Sequence, residues 1–119
     1  MFLPEEGLLL RIFVGEDDTV KNIPLYEAIV IKARELNIAG ATVMRGGMGY
    51  GASSRIHTSK ILRLSEDMPV VIEIVDTEEK INQILPYLDQ VITGGMVTLE
   101  KVRILKYRPA RSSEKELEK

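Results

Sequence analysis

Hydrophobic residues recur with strand or helix spacing in six successive segments of the chain. Residues 8–14 are short, rich in large apolar side chains and followed by Gly15, a pattern typical of a β-strand. Residues 25–36 carry apolar side chains at helical spacing, and Pro24 before them suits the first turn of a helix. The pattern therefore predicts a strand and then a helix that ends near Gly40, a residue well suited to a left-handed C-terminal position.

The remaining segments repeat this alternation of strand and helix. Residues 41–45 and 69–75 predict two further strands, and residues 81–92 form a second helical stripe behind an N-cap signal at 76–79. Residues 96–106 predict a last strand. The order strand, helix, strand, strand, helix, strand predicts an α+β fold, a ferredoxin-like βαββαβ sandwich with a four-stranded antiparallel sheet and two helices on one face.

The face of the sheet that carries no helix is predicted to be apolar. Two helices cover only one face of four strands, so in a monomer the other face should be polar. Residues 8–10 and 70–72 are instead consecutive large apolar residues, which places such side chains on both faces of two strands. Leaving each of them in water forgoes about 1.5–3 kcal/mol, so the pattern predicts a homo-oligomer that buries this face.

Composition fits one ordinary domain and excludes several classes of function. The 119 residues favour a single domain over residues 1–108, and residues 109–119 are predicted to be a disordered polar tail. With 16 basic and 18 acidic residues, the net charge of −2 gives no overall field that would recruit nucleic acid. The chain has no cysteine, and its start lacks the pattern of a signal peptide, so a cytoplasmic location is expected.

Two glycine-rich segments are candidates for binding an anion. Residues 46–51 contain four glycines directly after a predicted strand, and glycine lets backbone N–H groups approach phosphate oxygens closely. The spacing matches neither a dinucleotide-binding fingerprint nor a P-loop, so a bulge and hairpin entry explains this segment as well. Residues 93–95 form the second segment, for which the structural alternative is the C-cap of the second helix.

Basic residues cluster in the long segment between the second and third predicted strands. They could neutralise an anionic ligand, or they could be ordinary solvated charges. His57 is the chain's single histidine and has no nearby nucleophile, so we expect no catalytic residue and no metal site within one chain. The candidate loop cations are Arg45, Arg55, His57 and Lys60.

Several strings of this sequence resemble the DUF190 family, which is grouped with the PII-like signalling proteins. The resemblance runs from about residue 7 to 106 and is most specific between Gly40 and Thr77. The strings that carry it are Gly15 to Asp18, Leu25 to Ala28, Gly40 to Gly46, Arg55 to Thr58 and Pro69 to Thr77.

The resemblance implies a cytoplasmic homotrimer with its sheets facing inward. It also implies that an adenine nucleotide, namely ADP, ATP or AMP, binds in the cleft between subunits as an effector, with no cofactor required. The loop after the second strand would engage a target protein, membrane-bound targets included. The residues matched to the nucleotide site are Gly47, Gly49, Tyr50, Gly51, Thr93, Gly94, Gly95, Met96 and Arg103.

The sequence departs from the PII pattern at three points. The lysine that follows the glycine turn in PII proteins is replaced by Met96 or Val97, and the second arginine position holds Leu105. The tyrosine that some PII proteins use for uridylylation has no counterpart in the loop. Two alternatives stay open: an enzyme that acts on a small anionic substrate through Arg55, His57 and Lys60, and a metal-binding trimer in which copies of His57 converge.

Overall fold

Four strands form the main sheet of the protein, and two helices pack on one of its faces. A computed structural model describes residues 6–46, 48–50, 56–58 and 68–108. In chain order the elements are β1 (Glu6–Gly15), β2 (Thr19–Val20), β3 (Ile23–Pro24), α1 (Leu25–Glu35), β4 (Ala41–Arg45), β5 (Met48–Tyr50), β6 (Ile56–Thr58), β7 (Pro69–Asp76), α2 (Glu78–Val91) and β8 (Met96–Arg103).

The strand order of the main sheet is β4-β7-β1-β8, and every neighbouring pair is antiparallel. This arrangement confirms the predicted α+β, ferredoxin-like βαββαβ sandwich. The two shorter pairs, β2 with β3 and β5 with β6, are separate antiparallel ribbons. The predicted last strand is three residues too long, because β8 ends at Arg103. Residues 109–119, predicted to be a disordered tail, lie outside the described residues.

The hydrophobic core lies between the helices and the two central strands. Alternate residues of β7 are buried, as the period of a strand requires, and β1 shows the same alternation from Leu10 to Val14. Burying large aliphatic side chains in this way is the main stabilising contribution to the fold. The fully buried core side chains are Leu10, Ile12, Ile29, Val70, Ile72, Ile74, Ile81 and Ile84.

The first helix ends earlier than the sequence predicts. It stops at Glu35, and the left-handed residue that follows is Asn37, with φ 59°, while Gly40 has no positive φ. Asparagine tolerates this conformation because its short amide side chain can hydrogen-bond to the nearby main chain. The prediction of a C-terminal glycine at Gly40 is therefore wrong by three residues.

The second helix starts within the predicted N-cap signal, but its N-cap is Thr77, so Lys80 and not an acid lies three residues after the N-cap. Thr77 is the N-cap, and its hydroxyl accepts a hydrogen bond from the Lys80 N–H at 3.2 Å. The carboxylate of Asp76 is fully buried and accepts hydrogen bonds from the Thr77 N–H at 2.6 Å and the Ala39 N–H at 2.7 Å. Asp76 thus ties the start of α2 to the turn that precedes β4.

The face of the sheet opposite the helices, here called the open face, carries mostly apolar side chains. The strand register shows which residues of the four main strands lie on this face. They are Leu9, Arg11, Phe13, Thr42, Met44, Val71, Glu73, Val75, Met96, Thr98, Glu100 and Val102. Phe13 is 37% exposed and Met96 is 60% exposed. The predicted apolar second face is therefore confirmed.

One ion network lies within this apolar surface. The Arg11 Nε donates to Glu73 Oε2 at 2.8 Å, and its Nη1 lies 3.4 Å from Glu100 Oε1. The hydrogen bond to Glu73 is the main reason that the pKa of Arg11 is raised above its ordinary value. Within the described part of the chain, neither helix is long and apolar enough to cross a membrane.

Candidate functional site

Several candidate residues lie at one end of the main sheet, here called the loop end, where β1 and β4 finish and β7 and β8 begin. The antiparallel order places the end of β4 beside the start of β7, and the end of β1 beside the starts of β7 and β8. The long connection after β4 leaves from this end. Loops at the end of a rigid sheet are common positions for binding residues.

Gly46, the first glycine after β4, is held against β7. Its N–H donates to the Pro69 carbonyl oxygen at 2.8 Å. A β-carbon on Gly46 would lie 2.9 Å from Pro69 Cγ, closer than such contacts normally come. Glycine at this position is therefore explained by close packing against the start of β7.

Arg45, a predicted loop cation, forms an ion pair within the chain. Its Nη2 lies 2.7 Å from Oε2 of Glu16, which directly follows β1. Because β7 lies between β4 and β1 in the sheet, the arginine side chain reaches across the first residues of β7 to make this contact. This ion pair thus links the connection that follows β1 to the connection that follows β4.

The segment after Gly46 enters a hairpin. Strand β5 pairs antiparallel with β6, and Gly49 lies opposite His57 in this ribbon, with Tyr50 opposite Ile56. This pairing confirms hairpin entry, the structural alternative for the glycine-rich segment, and leaves anion binding as a separate prediction. The predicted site residues Gly47, Gly51, Arg55 and Lys60 lie outside the described residues.

The second glycine segment, Thr93 to Gly95, connects α2 to β8 at the loop end. The helix is capped at Ile92, whose N–H donates to the Leu88 carbonyl oxygen at 2.9 Å, so the glycines are not the C-cap. Gly95 has φ 149°, and a β-carbon there would lie 2.4 Å from the Phe13 carbonyl oxygen. The fold therefore requires glycine at position 95.

Gly94 is under no such constraint. A β-carbon on it would have no atom within 4 Å, and its φ is not positive. Packing and backbone conformation therefore do not explain the glycine at this position. The space beside Gly94 faces solvent, and a ligand could approach the main chain there.

The two glycine segments share the loop end but lie at opposite edges of the sheet. Gly46 follows the edge strand β4, and Gly95 precedes the other edge strand, β8. Three strand spacings of about 4.8 Å put them roughly 14 Å apart in one chain. Of the described glycines, Gly46 and Gly95 are therefore not in contact within one chain.

Arg103 lies at the opposite end of β8 from the glycine turn. Eight residues form this strand, so Arg103 is roughly 23 Å from Met96 at about 3.3 Å per residue. A cleft of about 620 Å³ surrounds it, between the start of β1, the end of β8 and the first turn of α2. Its charged lining residues are Glu6, Glu78, Glu79, Lys101 and Arg103.

Lys101 and Glu16 are the charged residues of these regions that sequence reasoning missed. Lys101 lines the same cleft as Arg103 and lies two residues before it, on the same face of β8. The alternation along β8 was a signal that could have found it. Glu16 could be found only with the sheet order in hand, since it is 29 positions from Arg45. Among the described residues, no group of three or more His, Asp or Glu side chains could hold a metal ion.

Comparison with known families gives one match to most of the chain. Residues 7–104 match the model of the DUF190 family, described as Uncharacterized ACR. A UPF0166 protein of Aquifex aeolicus is 40% identical over 100 residues, which cover 82% of this chain and 91% of that protein. A UPF0166 protein of Methanocaldococcus jannaschii is 36% identical over 99 residues, covering 82% of this chain and 91% of that protein.

Comparison with solved structures finds the same fold in a PII-like protein. CPII of Thiomonas intermedia K12, a nitrogen regulatory PII-like protein bound to ADP, AMP and bicarbonate, aligns with a TM-score of 0.62 at 14% identity. The alignment covers 85% of this chain and 90% of that one. A second structure of CPII, bound to ADP and bicarbonate, aligns with a TM-score of 0.54 at 13% identity and the same coverage. These likenesses show the fold.

Proposed function

The chain belongs to the DUF190 family and has a PII-like fold, and on that premise we propose that it is a regulatory protein that binds an adenine nucleotide between the subunits of a homotrimer. The nucleotide is ADP, ATP or AMP, and it acts as an effector. The loop after β4 then signals occupancy to a target protein. No catalytic residue, cofactor or nucleic acid takes part in this proposal.

The observation that carries the proposal is the position of the two glycine segments. Gly46 and Gly95 share one end of the sheet, yet they lie at opposite edges, roughly 14 Å apart in one chain. In a ring of identical subunits, the edge of one sheet can face the opposite edge of the next, so each cleft can receive one segment from each neighbour. Backbone N–H groups of two glycine turns would then surround the phosphates.

Gly94 is the residue of the turn that supports a binding role most directly. Gly95 is explained by its conformation and by its contact with β1, whereas Gly94 has open space around it. Removing the β-carbon at such a position lets a phosphate oxygen reach the main-chain N–H. We therefore assign Gly94 to the phosphate contact within the proposed site, with Thr93 and Met96 beside it.

The open face supports the proposed oligomer. It contains exposed apolar side chains from β1, β4 and β8 and half-buried ones from β7, and a contiguous apolar surface of this kind usually marks an interaction site. Packing three copies of this face together would bury these side chains and the Arg11 network at its centre. The cost of ordering three chains is thereby offset by removing apolar area from water.

Arg103 is proposed to bind a phosphate of the nucleotide. The glycine turn of another chain would bind the same nucleotide at this cleft. Lys101 shares the face of β8 with Arg103 and adds a second positive charge to the cleft, whereas the second arginine position of the PII pattern holds Leu105 in this chain. Since Arg103 and Gly94 are at opposite ends of β8, one chain cannot supply both to the same phosphate group. Two subunits are therefore needed for a complete site.

The choice of an adenine nucleotide rests on a solved protein of the same fold. CPII, which shares the fold, was solved with ADP and AMP, and the residues of the glycine turns suit a phosphorylated ligand. The proposal places Gly47, Gly49, Tyr50 and Gly51 at the base of the signalling loop and beside the phosphates. A cytoplasmic location agrees with an adenine nucleotide effector and a chain without cysteine.

Calorimetric titration with ADP, ATP and AMP tests the proposal. We expect saturable binding of at least one of them, with one nucleotide for each chain, and a mass for three chains by light scattering. The variant Gly94→Ala should weaken binding, while Gly40→Ala, also without neighbours within 4 Å, should leave it unchanged. A protein that binds none of the three at millimolar concentration would contradict the proposed function.

A further inference from the structure

We propose that Glu16 sets the affinity of the nucleotide site by occupying Arg45, so that a ligand phosphate must displace the Glu16 carboxylate to reach the guanidinium. This inference rests on the proposed function, because it names a competitor for one of the loop cations of that site. It concerns only residues at the bases of the β1 and β4 connections.

Arg45 and Glu16 form a close ion pair. Arg45 Nη2 and Glu16 Oε2 are 2.7 Å apart, at the short end of the range for such contacts. The Glu16 side chain is 26% exposed and the Arg45 side chain 63% exposed. The guanidinium is thus open to solvent on its other sides, where a ligand can compete for it.

The two connections that carry the pair are held by Met68 and Pro69, at the start of β7. The Glu16 N–H donates to the Met68 carbonyl oxygen at 2.7 Å, and the Gly46 N–H donates to the next carbonyl oxygen, that of Pro69, at 2.8 Å. The carboxylate and the base of the arginine therefore lie on either side of the first residues of β7. These main-chain hydrogen bonds hold Glu16 close to the end of β4.

The turn that carries Glu16 is also closed by its own hydrogen bonds. Asp18 Oδ2 accepts from the Gly15 N–H at 2.9 Å, and the Asp18 N–H donates to the Gly15 carbonyl oxygen at 3.2 Å. Asp18 therefore acts as a turn residue. Glu16 is a carboxylate of the same turn, and it forms the ion pair with Arg45 at the end of β4.

A phosphate is the natural competitor for this contact. Guanidinium binds carboxylates and phosphates through the same N–H groups. Glu16 and a ligand phosphate therefore compete for the same hydrogen-bond donors on Arg45. Glu16 is also a negative charge beside the predicted phosphate position. Removing its charge should free Arg45 and remove a repulsion, and both effects strengthen phosphate binding. Ordering of Arg45 by Glu16 acts in the opposite direction, so the sign of the measured change separates the two roles.

Calorimetric titration of four variants with ADP tests this competition. The variants are Glu16→Gln, Arg45→Gln, the double variant, and Glu35→Gln, which removes a carboxylate from the Lys32–Glu35 contact on α1 as a matched control. We expect Glu16→Gln to lower the Kd for ADP about fivefold, with Glu35→Gln unchanged. In the Arg45→Gln background, the same change at Glu16 should alter the Kd by less than about twofold, because the competitor has lost its partner.

The outcomes separate this inference from the proposed function. If wild-type protein binds ADP and Glu16→Gln binds it equally well or more weakly, the competition is refuted and the nucleotide site stands. An equal gain in the presence and absence of Arg45 would refute it as well, because Glu16 would then act by its charge alone. Binding of ADP by Glu16→Gln but not by wild type would support it most strongly. If neither wild type nor any variant binds ADP, ATP or AMP, both proposals fail.

Discussion

The main chain of Gly95 passes so close to Phe13 that a β-carbon at position 95 would lie 2.4 Å from the Phe13 carbonyl oxygen. Because Gly95 also has φ 149°, alanine there would be strained even without that contact. We expect Gly95→Ala to lower the free energy of unfolding by about 2–4 kcal/mol, measured by urea denaturation at a fixed chain concentration.

The matched control for this substitution is the neighbouring residue. Gly94→Ala enters open space at ordinary φ, so its effect on the free energy of unfolding should stay within about 0.5 kcal/mol. The two variants then divide the turn into a structural glycine and a binding glycine. Equal losses of stability at the two positions would contradict that division.

The open face should decide the oligomeric state. Phe13→Lys places a charge on this apolar surface, where assembly would have to remove it from water. We expect light scattering to report three chains for wild type and one chain for Phe13→Lys. Ile31→Lys, on the exposed side of α1 and 44% exposed, should remain trimeric. A Phe13→Lys protein that still forms trimers would show that a different surface holds the chains together.

Arg11, on the open face, should stabilise the folded protein at both neutral and alkaline pH. The substitution Arg11→Gln leaves Glu73 and Glu100 without their cation, so its urea midpoint should fall below that of wild type. The folded-state pKa of Arg11 is raised, so its contribution is present below the ordinary arginine pKa and lost only as pH rises beyond it.

The difference in urea midpoint between wild type and Arg11→Gln should therefore persist from about pH 7 to pH 10. The Lys32→Gln variant, which loses a 3.9 Å contact with Glu35 and a cation–π contact with Tyr87, should have a smaller effect. A difference that disappears between those pH values would show that another group carries the effect.

Most of the fold could be predicted from the sequence, because its strands and helices have clear periodicity. Strand β4 has the predicted bounds, and β7 begins at the predicted Pro69. The β2–β3 ribbon was missed. Its turn holds Lys21 and Asn22 at φ 50° and 70°, and lysine gives little sequence signal for that conformation.

The candidate site could be predicted only in part, because it depends on where strands lie in the sheet. The glycine segments are visible in the sequence, yet their placement at opposite edges follows from the strand order. The Glu16–Arg45 pair depends on the order of the strands in the sheet, in which β7 lies between β1 and β4. The two residues are distant along the chain, so the sequence alone does not show that they meet. Arg103 could be matched to a family pattern, while the roughly 23 Å between it and the glycine turn follows only from the strand's extent.

The most direct test of the central claim is nucleotide binding by mixed trimers. Chains with Gly94→Val and chains with Arg103→Ala, carrying different affinity tags, are co-expressed and purified by both tags in succession. Each variant alone should bind ADP poorly. If each site takes Gly94 from one subunit and Arg103 from its neighbour, any mixed ring of three holds one intact combination. Calorimetry should then recover wild-type affinity at about one ADP per three chains, whereas mixed trimers that bind no ADP would contradict a site shared between subunits.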